Sequence, residues 1–92
     1  MHRKGWYLVA YDIASLRRLV RVHRVLKREG IAVQKSVFLV FGTERAVDGL
    51  LDRLKEITSR NEDDLRAYPI REPGDLWTSG PNPLSSFPIL QI

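Results

Sequence analysis

Asp12 is the only acid among the first 28 residues, and it closes an apolar run from Trp6 to Ile13, WYLVAYDI. A carboxylate at the end of a strand can ligate a hard divalent cation, which prefers carboxylate and water oxygens. One carboxylate is not a metal site, but a twofold axis beside Asp12 would bring in a second. The same position equally suits an acid that stabilises the entrance of a helix, or one that pairs with Arg17 or Arg18. Spacing alone leaves both readings open. The other chemistry-bearing residues are sparser. His23 falls on an apolar helix face, which predicts a partly buried structural histidine rather than a general base. His2 is terminal, and Ser36 has no base near it in sequence to make it a nucleophile. Tyr7, Tyr11, Phe38 and Tyr68 are aromatics that could stack on bases, with core packing the stronger expectation for Phe38. There is no glycine-rich phosphate loop and no His/Cys ligand spacing.

A second constellation is cationic. Arg17, Arg21, Arg24 and Arg28 recur at helical spacing, with Arg18 beside them. At about 100° per residue the first four make one narrow stripe. The chain carries +4 overall, but residues 1–41 hold nine bases against two acids, which is +7, while residues 42–92 come to −3. Such asymmetry points to a polyanionic partner, although a solvated basic helix face is common.

These residues need elements to hold them. Ninety-two residues make one domain, and a chain this short buries only about 60–65% of its unfolded surface. No cysteine is present, which excludes a disulfide framework and a thiolate zinc site. No apolar run reaches the roughly 20 residues of a membrane span, and no signal-peptide cleavage pattern follows the N-terminus, so a cytoplasmic location is expected.

Trp6 to Ile13 reads as a strand that is apolar on both faces: Trp6, Leu8 and Ala10 on one, Tyr7, Val9, Tyr11 and Ile13 on the other. Ser15 is the expected N-cap of a helix from Leu16 to about Glu29, with Gly30 as its C′ residue. Its apolar side is Leu19, Val22, His23 and Leu26, with Leu16 at the margin. Ile31 to Phe41 is β-rich but interrupted by Gln34-Lys35-Ser36, which predicts a short strand near Ala32–Gln34, a tight reversal or bulge, and a strand from Val37 to Phe41. Thr43 caps a second helix running to about Thr58, with Ala46, Val47, Leu50, Leu51, Leu54 and Ile57 inward. Residues 59–63 read as a polar loop. Asp64 to Ile70 is a strand, and Pro69 makes it an edge or a terminus. The segment 72–92 is rich in Pro and Gly yet keeps apolar residues, so an extension strand near Phe87–Gln91 is expected beyond a domain at 1–71.

The order is βαββαβ, an α+β ferredoxin-like sandwich with a C-terminal extension strand. Two helices cover only one face of a four-stranded sheet. The two-faced first strand therefore predicts a homodimer joined through the sheet faces.

In matching order and spacing, residues 6–71 resemble the small adaptation subunit of CRISPR systems, the CRISPR-associated protein 2 family. The residues that carry the likeness are Tyr11-Asp12-Ile13, Arg17-Arg18, the run from Arg21 to Lys27, Gly30, Val33 to Phe38 and Leu65 to Ile70. Ala14-Ser15-Leu16 and Leu39-Val40-Phe41 stand where many members carry more polar or acidic residues. The resemblance implies a homodimer whose two Asp12 carboxylates flank the interface and bind Mg²⁺. It also implies a metal-dependent endonuclease acting on single-stranded RNA or double-stranded DNA, with Ser36 and Phe38 as helpers. A second implied role is architectural: a dimer that bridges the CRISPR integrase and supports protospacer DNA during spacer acquisition, with Arg17, Arg18, Arg21, Arg24 and Arg28 on the nucleic acid. The alternative is a ferredoxin-like nucleic-acid-binding or regulatory module without catalysis.

Overall fold

The computed structural model describes residues 4–70. The expected extension 72–92, its strand near Phe87–Gln91 and the domain boundary at 71 lie outside the described residues. Six elements follow in the expected order: β1 (Lys4–Asp12), α1 (Leu16–Glu29), β2 (Ile31–Gln34), β3 (Val37–Thr43), α2 (Glu44–Ile57) and β4 (Asp64–Ile70). They form one four-stranded sheet of order β2-β3-β1-β4, antiparallel throughout. β3 and β1 are the two central strands, which is why each carries apolar residues along both faces. β4 pairs only with β1, so Pro69 sits on an edge strand where its missing N–H costs no ladder bond. β1 and β3 run further than their apolar residues suggest, because Lys4 pairs with Thr43 and Gly5 with Gly42. Backbone pairing, not side-chain type, carries the ladder across those residues.

Between β2 and β3 both expected irregularities occur. The chain reverses at Lys35-Ser36, where Ser36 takes a left-handed φ of 65°, and the register shifts between Ala32 and Gln34. Both helices begin as their caps dictate. The Ser15 hydroxyl accepts from the Arg18 N–H at 3.4 Å, and the Thr43 hydroxyl accepts from the Ala46 N–H at 3.0 Å.

Gly30 differs from expectation. It is extended, at φ −155°, rather than left-handed. Its need for glycine is instead one of space: a Cβ there would overlap the Leu39 carbonyl and lie 2.9 Å from Val40 Cγ2.

The sheet separates two apolar clusters. On the helix side Val9, Tyr11, Phe38 and Val40 pack with Val22 and Leu26 of α1 and Val47, Leu50 and Leu54 of α2. Ala46, expected inside, is exposed, and so is His23, which lies edge-on to Phe38 with centroids 5.5 Å apart. On the helix-free side Leu8, Ala10, Val37 and Leu39 form a second cluster, with Trp6, Val33, Tyr68 and Ile70 around it. That cluster is buried within the single chain, Leu39 being the most accessible at 4%. The two-faced strand is therefore real, but burying its centre does not by itself require a second copy.

Candidate functional site

Asp12 lies at the exposed end of β1, on the helix-free side with Leu8 and Ala10. In the β1–β4 ladder its cross-strand partner is Asp64. Directly paired residues share a sheet face, so two carboxylates stand together at the end of the ladder. Asp64 is restrained from one side, its Oδ2 accepting from Arg66 Nε at 2.8 Å. A pair of carboxylates with water fits Mg²⁺, which binds one or two acids and keeps much of its hydration shell. Among the described residues no three His, Asp or Glu side chains gather. One chain thus offers part of a coordination shell at Asp12 and Asp64.

Asp12 makes no ion pair among the described residues. The acid that meets the start of α1 is Asp63, and its partner is Arg18. Arg18 Nε donates to Asp63 Oδ2 at 2.7 Å, and its terminal nitrogen donates to Oδ1 at 3.2 Å and to Glu62 at 3.0 Å. The backbone N–H groups of Ser59 and Ala14 also donate to Asp63, at 2.7 and 2.9 Å. These donors favour the charged form, Arg18 foremost, and hold the Asp63 carboxyl down to about 2. Its side chain is only 1% exposed. In sequence Asp63 is one residue of the polar loop 59–63. Its partner lies 45 residues away, beyond any helical or strand periodicity.

Arg18 is accordingly occupied, which sets it apart from the rest of the cationic group. Arg17, Arg21, Arg24 and Arg28 are exposed along the outer side of α1 and form no ion pair among the described residues. Lys27 and Arg28 fall in the last turn, where cations suit the helix dipole. Leu16 and Val20 are exposed beside the stripe, at 75% and 47%.

The two expected helpers fare differently. Phe38 is 2% exposed and lies in the helix-side cluster, on the opposite face of the sheet from Asp12. It stacks near Tyr11 at 6.4 Å, so its place is in packing, and it cannot reach a phosphate or base held at Asp12. Ser36 acts near the site through its backbone, its carbonyl accepting from the Tyr11 N–H at 3.1 Å. Tyr11 and Tyr7 belong to the helix side too, and burial pushes the Tyr11 phenol up. Of the four aromatics only Tyr68 is on the face that bears Asp12.

A split βαβ sandwich with a strand-end acid and an exposed arginine ridge on its first helix is the class of protein that these elements define. Residues 5–75 match the model of the family described as CRISPR associated protein Cas2, and the chain belongs to that family. It is 36% identical over 80 residues to the CRISPR-associated endonuclease Cas2 2 of Thermus thermophilus, covering 87% of this chain and 89% of that one. It is also 36% identical over 64 residues to the CRISPR-associated endoribonuclease Cas2 1 of Nitrosomonas europaea, covering 70% of this chain. That match takes in 61% of the Nitrosomonas protein, so the chain spans less than two thirds of that relative's length. Among solved structures it superposes on a hypothetical protein from Thermus thermophilus with a TM-score of 0.72 at 37% identity, covering 76% of this chain and 85% of that one. The crystal structure of Streptococcus pyogenes Cas2 at pH 6.5 gives 0.66 at 28% identity, covering 72% and 86%. No helix among the described residues is long and apolar enough to cross a membrane.

Proposed function

We propose that this chain is a homodimeric subunit of CRISPR adaptation, cytoplasmic, that supports protospacer DNA and bridges the integrase during spacer acquisition. The observation that carries this reading is the arginine ridge of α1. Four guanidinium groups stand exposed on one helix side without a carboxylate partner among the described residues, whereas Arg18, one position off the ridge, is neutralised by Asp63. Two copies related by a twofold axis present two such ridges to one duplex. Their contacts are to phosphates, so binding depends on charge and salt rather than on sequence. Arg17→Glu, Arg21→Glu and Arg24→Glu together should abolish duplex binding. Each native phosphate contact contributes about 0.9 to the slope of log affinity against log salt. Unchanged affinity with an unchanged slope would remove the ridge from the interface.

Cleavage is the second reading, favoured by the paired carboxylates Asp12 and Asp64 and by the relatives named as endonuclease and endoribonuclease. Asp12 is the residue that would hold Mg²⁺, with Asp64 beside it and Mn²⁺ as a substitute. The cation, when bound, supplies charge neutralisation at a phosphate oxygen and activation of water for hydrolysis of RNA or DNA. Asp12 presents the ligand oxygen, Arg66 orients Asp64, and Tyr68 is placed on the same face. Asp12→Asn should remove metal-dependent cleavage and leave duplex binding intact. Normal spacer acquisition by that variant would make cleavage dispensable to the architectural role, and loss of acquisition would make it essential.

A further inference from the structure

We propose that Asp63 is a positioning residue for Asp12: it locks the strand exit that bears Asp12 onto the loop that delivers Asp64, without itself touching a bound cation. This rests on the reading of Asp12 as the cation-holding carboxylate. The backbone of Asp12 is pinned on both sides. One residue before it, the Tyr11 N–H donates to the Ser36 carbonyl at 3.1 Å. Two residues after it, the Ala14 N–H donates to Asp63 Oδ1 at 2.9 Å. The first clamp is held by a serine in a left-handed conformation, one that non-glycine residues seldom adopt. The second clamp is held by a carboxylate almost wholly shielded from water.

The β1–β4 ladder ends at the pair Asp12 and Asp64. Beyond that point no sheet bond holds the two carboxylates in register. Asp63 takes over there. One oxygen closes its own loop through the Ser59 N–H at 2.7 Å, and the other reaches across to Ala14. Arg18 spans both oxygens and ties them to the first turn of α1. A bond that served only to close the loop 59–63 would have no use for Ala14 or Arg18. The link joins the two segments that carry the paired acids, and it does so immediately outside the pair. Partners that hydrogen-bond a ligand directly typically contribute about 10–100-fold to metal binding, and Asp63 acts one step further out, on Asp12 through the Ala14 backbone.

The test is Mn²⁺ binding to the full chain without nucleic acid, read by electron paramagnetic resonance, alongside amide exchange at Ala14 and thermal melting. Asp12→Asn should abolish binding. Asp63→Ala should weaken it by at least about tenfold and speed exchange at Ala14 in a protein that remains folded. Leu54→Ala, in the helix-side core, should lower the melting temperature without changing Mn²⁺ affinity. Glu62→Gln removes only the charge of the exposed arm of the network and should leave affinity unchanged. If Asp63→Ala does not fold, Asp63→Asn carries the test, with a loss of at least about threefold expected because one acceptor survives. Native affinity in the folded Asp63 variant, with Asp12→Asn inactive in binding, would overturn the positioning role and leave the Asp12 reading standing. Native affinity in Asp12→Asn would overturn both.

Discussion

Asp63 is shielded from water yet ionised, because Arg18 and two backbone N–H groups converge on its two oxygens. The energetic consequence has a definite sign with pH. The folded carboxyl sits at about 2 against an ordinary value of 3.8, so its charged form is preferred in the native state. Its contribution to stability is complete above about pH 4 and is lost as pH falls through 2. Native protein and Asp63→Asn should therefore differ most in melting temperature near neutral pH. The gap should narrow steadily between pH 4 and pH 2, and a gap constant across that interval would contradict the ion pair. The acid in the strand was legible from sequence, because Asp12 is isolated at the end of an apolar run. The acid in the loop was not. Glu62 and Asp63 are two consecutive acids of one polar loop, and only the fold makes one an exposed arm and the other a buried acceptor. Phe38 was legible as an aromatic, but the face it occupies depends on strand parity.

Glycine shows the same division between pattern and space at the scale of elements. Periodicity located both helices, apolar β-rich runs located the strands, and the polar Gln34-Lys35-Ser36 break marked the division of β2 from β3. Gly30 was legible as a helix terminator, but the reason for glycine was not, because it lies in how closely the backbone between α1 and β2 approaches β3. Gly49 is the contrast. It sits in the middle of α2, exposed, with nothing within 4 Å of a built Cβ. Gly49→Ala should stabilise the domain by about 0.5–1 kcal/mol, through helix propensity and a less flexible unfolded chain. Gly30→Ala should do the reverse. Its Cβ meets the Leu39 carbonyl, and backbone cannot rotate away as a side chain can, so a loss of about 1–3 kcal/mol is expected, the usual cost of overpacking. Paired denaturant titrations decide it: two shifts of the same sign would mean that local propensity, not the close approach to β3, governs Gly30.

At the scale of the molecule, the proposed dimer would form through the helix-free face. Its centre is already buried, so what remains for a second copy is the periphery. Phe41 is 53% exposed and leans on Trp6 at 5.0 Å, and Ile31 is 60% exposed at the other side of β3. Register places Phe41 opposite Trp6 and Ile31 opposite Leu39, hence all on that face. A dimer through these sheets buries Phe41, and a charge there would have to be buried unpaired. Phe41→Glu should therefore give a monomer by sedimentation equilibrium while the circular dichroism stays native. Salt adds an independent check on the same assembly. Each copy carries +4, so bringing two together opposes like charges, and screening favours the dimer as ionic strength rises. Duplex binding runs the other way, because phosphate contacts release counterions and weaken with salt. Dimer affinity should thus rise, and DNA affinity fall, across one salt series. If both fall together, the subunits are held by ion pairs rather than by the apolar rim, and Phe41→Glu will leave the dimer intact.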